Sequence, residues 1–87
     1  MPADPKLVLD EDPVRVAVSL RSARRRQLLS ALESLRATCN EPADFREKDH
    51  CGRWLSVRVL HSFAISYWID GPVNELRIVD IEIVRTR

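Results

Sequence analysis

The side chains able to handle charge are dominated by arginine. Twelve of the 14 basic residues are Arg and two are Lys, and there are only two histidines. Arginine offers a planar fork that grips carboxylate or phosphate with two parallel hydrogen bonds. Arg21, Arg24, Arg25 and Arg26 crowd one short stretch. Arg46, Lys48, Arg53 and Arg58 gather around a second, beside Trp54 and ahead of His61 and Trp68. Gly52 and Gly71 are the only glycines, so no glycine-rich loop can cradle a phosphate, and no Gly-x-Ser-x-Gly elbow occurs. No pair of acids stands out as a proton-shuttling couple. The chemistry left is stabilisation of a negatively charged phosphoryl transition state. It would rest on Arg, Lys and Tyr, with His61 a candidate general acid or base. Cys39, His50, Cys51 and His61 match no standard zinc spacing, so no metal and no cofactor is expected.

The remaining signals are for binding. Trp54 and Trp68 are partner anchors, and tryptophan beside arginine can also stack bases. Arg21, Arg24 and Arg25 would receive an acidic partner or phosphate. The plainer reading is that the chain's own Asp10-Glu11-Asp12, or solvent, answers them. Likewise the tryptophans could be buried by the chain itself or by a homodimer seam.

A chain of 87 residues is one domain. With 45% apolar and 31% charged residues it is ordinary globular protein. The net charge of +1 conceals an uneven distribution. Residues 1–13 sum to −3, 14–38 to +5, 39–51 to −2 and 52–87 to +1. No apolar run approaches membrane-spanning length, and the start is acidic and proline-bearing, unlike a signal peptide. A cytoplasmic protein with reduced Cys39 and Cys51 is the expectation.

Residues 1–13 read as an acidic, proline-containing arm, with Leu7-Val8-Leu9 able to add an edge strand. Residues 14–87 form the single domain. Val14-Arg15-Val16-Ala17-Val18 alternates and is β-branched, which predicts a strand. Ser22 to Thr38 lacks Gly and Pro, and Leu28, Leu32 and Leu35 make one apolar stripe with Leu29 and Ala31 alongside. That is the main helix. Residues 40–52 read as a charged loop. Three strands follow, separated by turns at His61-Ser62 and at residues 70–74. The alternation of the last slips at Ile78-Val79, which suggests a bulge.

These elements predict an α+β, two-layer fold, an antiparallel sheet in the order β-α-β-β-β with one main helix on one face. The helix stripe is expected to meet Leu55, Val57 and Val59 together with Phe63, Ile65 and Ile69. Trp54, Arg58 and Trp68 would then share the uncovered face as a binding surface.

Val14-Arg15-Val16-Ala17-Val18-Ser19 leading into Ala23-Arg24-Arg25-Arg26, Gly52-Arg53-Trp54, and Phe63-Ala64-Ile65-Ser66-Tyr67-Trp68-Ile69-Asp70 before Leu76-Arg77-Ile78-Val79 form a familiar pattern. Over residues 14–84 the chain resembles the RelE/ParE superfamily, the toxins of bacterial type II toxin–antitoxin modules, some of which stabilise plasmids. The resemblance implies a RelE/ParE-like domain neutralised by a cognate antitoxin. It also implies one of two targets: mRNA on the ribosome, cleaved by an mRNA interferase that blocks translation, or DNA gyrase. For RNA cleavage it points to Arg58 and Lys48, with Arg46, Arg53, Arg85 and Arg87 holding phosphate. Members often place Arg after the aromatic of the third strand and a basic run after the last. Here Ala64 and Asp80-Ile81-Glu82-Ile83 stand there. The alternative is therefore a catalytically inactive or gyrase-directed member acting by protein binding alone.

Overall fold

A computed structural model describes residues 4–85. The elements run β1 (Lys6–Leu9), α1 (Glu11–Ser19), α2 (Ser22–Thr38), β2 (Phe45–Lys48), β3 (Trp54–Leu60), β4 (Phe63–Asp70), a 3-10 turn (Gly71–Val73) and β5 (Glu75–Ile83). The strands form a single sheet ordered β1-β5-β4-β3-β2. β1 runs parallel to β5 and the other neighbours are antiparallel. The α+β, two-layer class stands, with two helices packed on a five-stranded mixed sheet.

The strand expected at Val14–Val18 is instead helix α1. Asp10 stands at its N-cap, with Glu11 and Asp12 in the first turn, where carboxylates favour the positive end of the helix dipole. Pro13 is tolerated there because a first-turn N–H has no intrahelical partner. Pro13 is buried, and Val16, Ala17 and Leu20 pack on the core. Those four positions have helical spacing, so one apolar stripe outweighs the β-branched alternation. Residues 6–9 and 11–13 of the expected arm thus belong to β1 and α1, with Asp10 capping between them. The first strand of the fold is β1, whose Leu7 and Leu9 join the core.

Helix α2 coincides with the expected helix. It buries Leu28, Ala31, Leu32 and Leu35, while Leu29 faces solvent at 53% exposure. These side chains meet Phe63, Ile65, Tyr67, Leu76, Ile78 and Ile81 from the sheet. Each large apolar side chain buried here contributes about 1.5–3 kcal/mol. The loop expected at 40–52 contains β2, an edge strand exposed along its length. Asp49 closes the β2–β3 turn: its Oδ1 accepts from the backbone N–H of Cys51 (2.9 Å) and of Arg53 (2.8 Å). These bonds hold its carboxyl below the usual range.

The register decides the two faces. His61 and Ser62, at φ 51° and 67°, form a two-residue turn that pairs Leu60 with Phe63. Arg58 then lies opposite Ile65, and Ser56 opposite Tyr67. Directly paired residues share a face. So Trp54, Ser56, Arg58 and Leu60 lie on the helix side, and Leu55, Val57 and Val59 on the open side. This reverses the expected faces of β3. The slip in β5 is present as a bulge, since Ser66 pairs with Asp80 and Tyr67 with Ile78, leaving Val79 extra.

Candidate functional site

The expected Trp54/Arg58/Trp68 surface does not form, because Trp54 and Trp68 point to opposite sides of the sheet. Each tryptophan is the centre of its own cationic cluster. Trp54, 52% exposed, carries Arg46 at 5.2 Å and Lys48 at 5.0 Å from its ring. Arg46 and Lys48 alternate along β2 and pair with Ser56 and Trp54, so both cations and the Trp54 ring share the helix side at the β2 edge. Trp68, on the open face, carries Arg53 at 4.3 Å and Arg77 at 5.8 Å. A cation held over an indole face gains about 0.5–1 kcal/mol at exposed sites.

Arg58 is apart from both clusters. Its Nη1 donates to Thr38 Oγ1 (2.6 Å) and to Thr38 O (3.2 Å), closing the carboxyl end of α2. Two positions along β4 from Ile65, which Arg58 faces, Tyr67 lies opposite Ser56, is 2% exposed and receives Arg58's electrostatic influence. Burial pushes the Tyr67 phenol up, and the Arg58 charge and a hydrogen bond with Ser56 oppose that rise. His61 lies in the β3–β4 turn, at the other end of β3 from the Lys48–Trp54 pair. Seven residues of strand separate the two, or about 20 Å. Arg58, Lys48 and His61 are not brought together.

The arginines of α2 have divergent duties. Arg25 donates from Nε to Ala17 O (2.9 Å), and from Nη2 to Leu20 O (2.7 Å) and Val18 O (3.1 Å). It caps α1, whose last turn contains no basic residue. Arg24 lies 4.4 Å over the Phe63 ring and reaches His61 O (3.4 Å). Arg21 and Arg26 are exposed. Arg85 is exposed beyond β5, and Arg87 lies outside the described residues. Asp10 reaches Arg77 at 3.9 Å, while Glu11 and Asp12 pair with Arg15. Within the described residues, the acidic segment therefore does not answer the α2 arginines.

Several residues of the open face escaped the sequence reading. Glu47 crosses β3 to accept from Ser66 Oγ at 2.9 Å, over a floor in which Leu55 and Val57 are 3% and 2% exposed. Asp80 pairs with Ser66, and Glu82 with Ala64, on the same face. The usable signals were the two-residue turn, which sets the parity, and the Asp80-x-Glu82 spacing. Cys39 is buried, with its thiol pushed up by burial, and Cys51 is exposed in the β2–β3 turn. No described helix is long and apolar enough to cross a membrane.

Neither a protein-family model nor a curated protein sequence matches the chain. Among solved structures, it is similar to a chain of the archaeal RelE–RelB complex from Pyrococcus horikoshii OT3. That match has a TM-score of 0.66 and 15% identity, and covers 93% of this chain and 96% of the other. The likeness is one of fold, and it spans both helices and the sheet.

Proposed function

We propose that this chain is the toxin component of a type II toxin–antitoxin pair, neutralised by a cognate antitoxin. The observation that carries this reading is the nearly end-to-end fold likeness to a chain of a RelE–RelB complex. For its mode of action we favour protein binding, at the ribosome or at DNA gyrase, without RNA cleavage. Arg58 is engaged by Thr38, and His61 is a strand's length from Lys48. A cleavage site needs its acid, base and charge-stabilising groups within hydrogen-bond reach of one phosphate.

One observation supports the RNA reading. Trp54 with Arg46 and Lys48 offers a stacking surface beside two cations, the pairing that holds a base and its phosphate. Arg53 over Trp68 repeats the motif on the other face. In this reading Lys48 and Arg46 hold the scissile phosphate and Trp54 stacks the neighbouring base.

The test is induced expression in a bacterial host, with and without the product of the adjacent reading frame. Growth arrest rescued by that product is expected, and unimpaired growth overturns the toxin reading. Mapping mRNA 5′ ends in arrested cells then separates the modes. Intact messages support protein binding. New ends that vanish in Lys48→Ala support cleavage.

A further inference from the structure

Strand β2 forms one edge of the sheet and is exposed along its length. Asp49 donates its backbone N–H to Arg53 O (2.9 Å), so these two residues are a hydrogen-bonded pair. Such pairs recur at every second residue of an antiparallel ladder. Phe45 and Glu47 therefore turn their peptide groups toward β3, and Arg46 and Lys48 turn theirs outward. The N–H and C=O of Arg46 and of Lys48 stand open at this edge, with no partner among the described residues.

The side chains beside them are of one sign. Arg46 and Lys48 share the helix side with Arg58, and no carboxylate of β2, β3 or β4 lies on that side. Arg58 is engaged by Thr38, whereas Arg46 and Lys48 rest on the Trp54 ring. Neither they nor Glu41, at the close of α2, form an ion pair among the described residues. The flanking acids are held by the chain itself. Asp44 Oδ2 accepts the Val59 N–H at 2.7 Å, and Asp49 accepts two N–H groups of its own turn. Glu47 lies on the open side, where it accepts from Ser66 Oγ. A second copy of β2 fits this edge poorly. Full antiparallel overlap of the strand on itself puts Arg46 opposite Lys48 and Glu47 opposite Glu47, like charge against like.

We propose that β2 takes an extended segment of a partner protein as a sixth, antiparallel strand, and selects a segment with carboxylates at alternate positions. The two carboxylates lie opposite Arg46 and Lys48, about 7 Å apart on the helix side. On the other side an apolar residue covers Phe45, which is 51% exposed. The open backbone groups accept any strand, and the two cations make the choice among strands. The inference rests on the reading that the chain works by binding a protein, and it names the chemistry of the segment bound.

The probe is a fluorescent peptide, Thr-Glu-Thr-Glu-Val-Thr, compared with its isomer Thr-Glu-Glu-Thr-Val-Thr. The isomer has the same charge but puts its carboxylates on opposite sides of the strand. Fluorescence anisotropy with the full chain is expected to give at least fivefold tighter binding of the alternating peptide. N-methylation of its two Glu amides, which face β2, should abolish binding. N-methylation of the Thr between them, which faces away, should leave binding intact. In saturating peptide, amide hydrogen exchange of Arg46 and Lys48 should slow at least tenfold.

Arg46→Gln with Lys48→Gln should erase the preference between isomers. Arg21→Gln with Arg26→Gln removes the same charge elsewhere and should preserve it. Unchanged far-ultraviolet circular dichroism checks that both double variants fold. Equal affinity for the two isomers, equal effects of the two methylations, or unchanged exchange at Arg46 and Lys48 overturns the proposal. A uridine hexamer that binds tighter than the peptide and leaves both amides unprotected assigns the surface to nucleic acid, and also overturns it. A chain that arrests growth and is rescued, yet fails these tests, loses this inference and keeps its toxin reading.

Discussion

Arg58 on β3 and Thr38 at the end of α2 are joined twice, side chain to side chain at 2.6 Å and side chain to carbonyl at 3.2 Å. The guanidinium thus joins the Glu41 N–H (3.0 Å) on the last helical carbonyl, and it ties the end of α2 to the sheet.

Arg58→Ala should therefore cost about 1–2 kcal/mol of stability, since a partly buried bond from a charged donor is among the stronger ones. In a domain of this size that lowers Tm by about 4–16 °C. Thr38→Val should cost less, and the double variant should show a coupling of at least about 0.5 kcal/mol in denaturant unfolding. Additive losses would separate the two residues.

Arg25 is expected to be the costliest arginine of α2 to lose. It holds three carbonyls at the end of α1. Arg25→Ala should destabilise by about 1–2 kcal/mol, while Arg21→Ala and Arg26→Ala stay within about 0.5 kcal/mol. Hydrogen exchange should speed up first in α1. Uniform acceleration across the chain would argue against a local capping role.

The His61-Ser62 turn places two side-chain-bearing residues at positive φ, a conformation that suits Asn-Gly better. The double variant His61→Asn, Ser62→Gly should be more stable by about 1 kcal/mol, read from the denaturation midpoint. Growth arrest in the induced host should be retained. Loss of arrest with stability gained would return His61 to the candidate chemistry.

Tyr67 is the only tyrosine, so phenolate absorbance near 295 nm reports it alone. Burial raises its folded-state pKa above the ordinary 10, against the Arg58 charge that lowers it. The stability gained by keeping the phenol neutral is complete below pH 10 and fades as pH rises through the folded value. The native chain should titrate above 10, together with its unfolding. The chain in strong denaturant should titrate near 10. Coincident curves would mean an accessible phenol.

How far the fold could be read from sequence depended on which signal was local. Helix α2 was legible to its ends because propensity and a single apolar stripe agree. β3, β4 and β5 were legible from alternation bounded by turns. α1 was missed because Val14, Val16 and Val18 satisfy a strand pattern, while the helical set Pro13, Val16, Ala17 and Leu20 includes a proline and an alanine that look unremarkable in isolation. β2 was missed because an edge strand exposed on both sides has no buried face to impose alternation. The site suffered most from one step of parity. The assumption that Leu55, Val57 and Val59 must seek the helices placed both tryptophans together. The two-residue turn fixes the opposite outcome, and Leu55 and Val57 are buried on the side away from the helices. The roles of Arg25 and Arg58 depend on contacts between elements, which residue type alone does not encode.

The parallel pairing of β1 with β5 bears on how the chain matures. Leu7 meets Leu76, so the first strand made is completed only by the last. During synthesis the apolar Leu7-Val8-Leu9 segment must wait through both helices and three strands before it has a neighbour. Until β5 emerges, the sheet presents a β4 edge without its cover, the kind of surface that invites pairing with another chain. A partner present at that moment meets a half-built sheet, so assembly beside the ribosome and assembly from finished chains need not follow the same route.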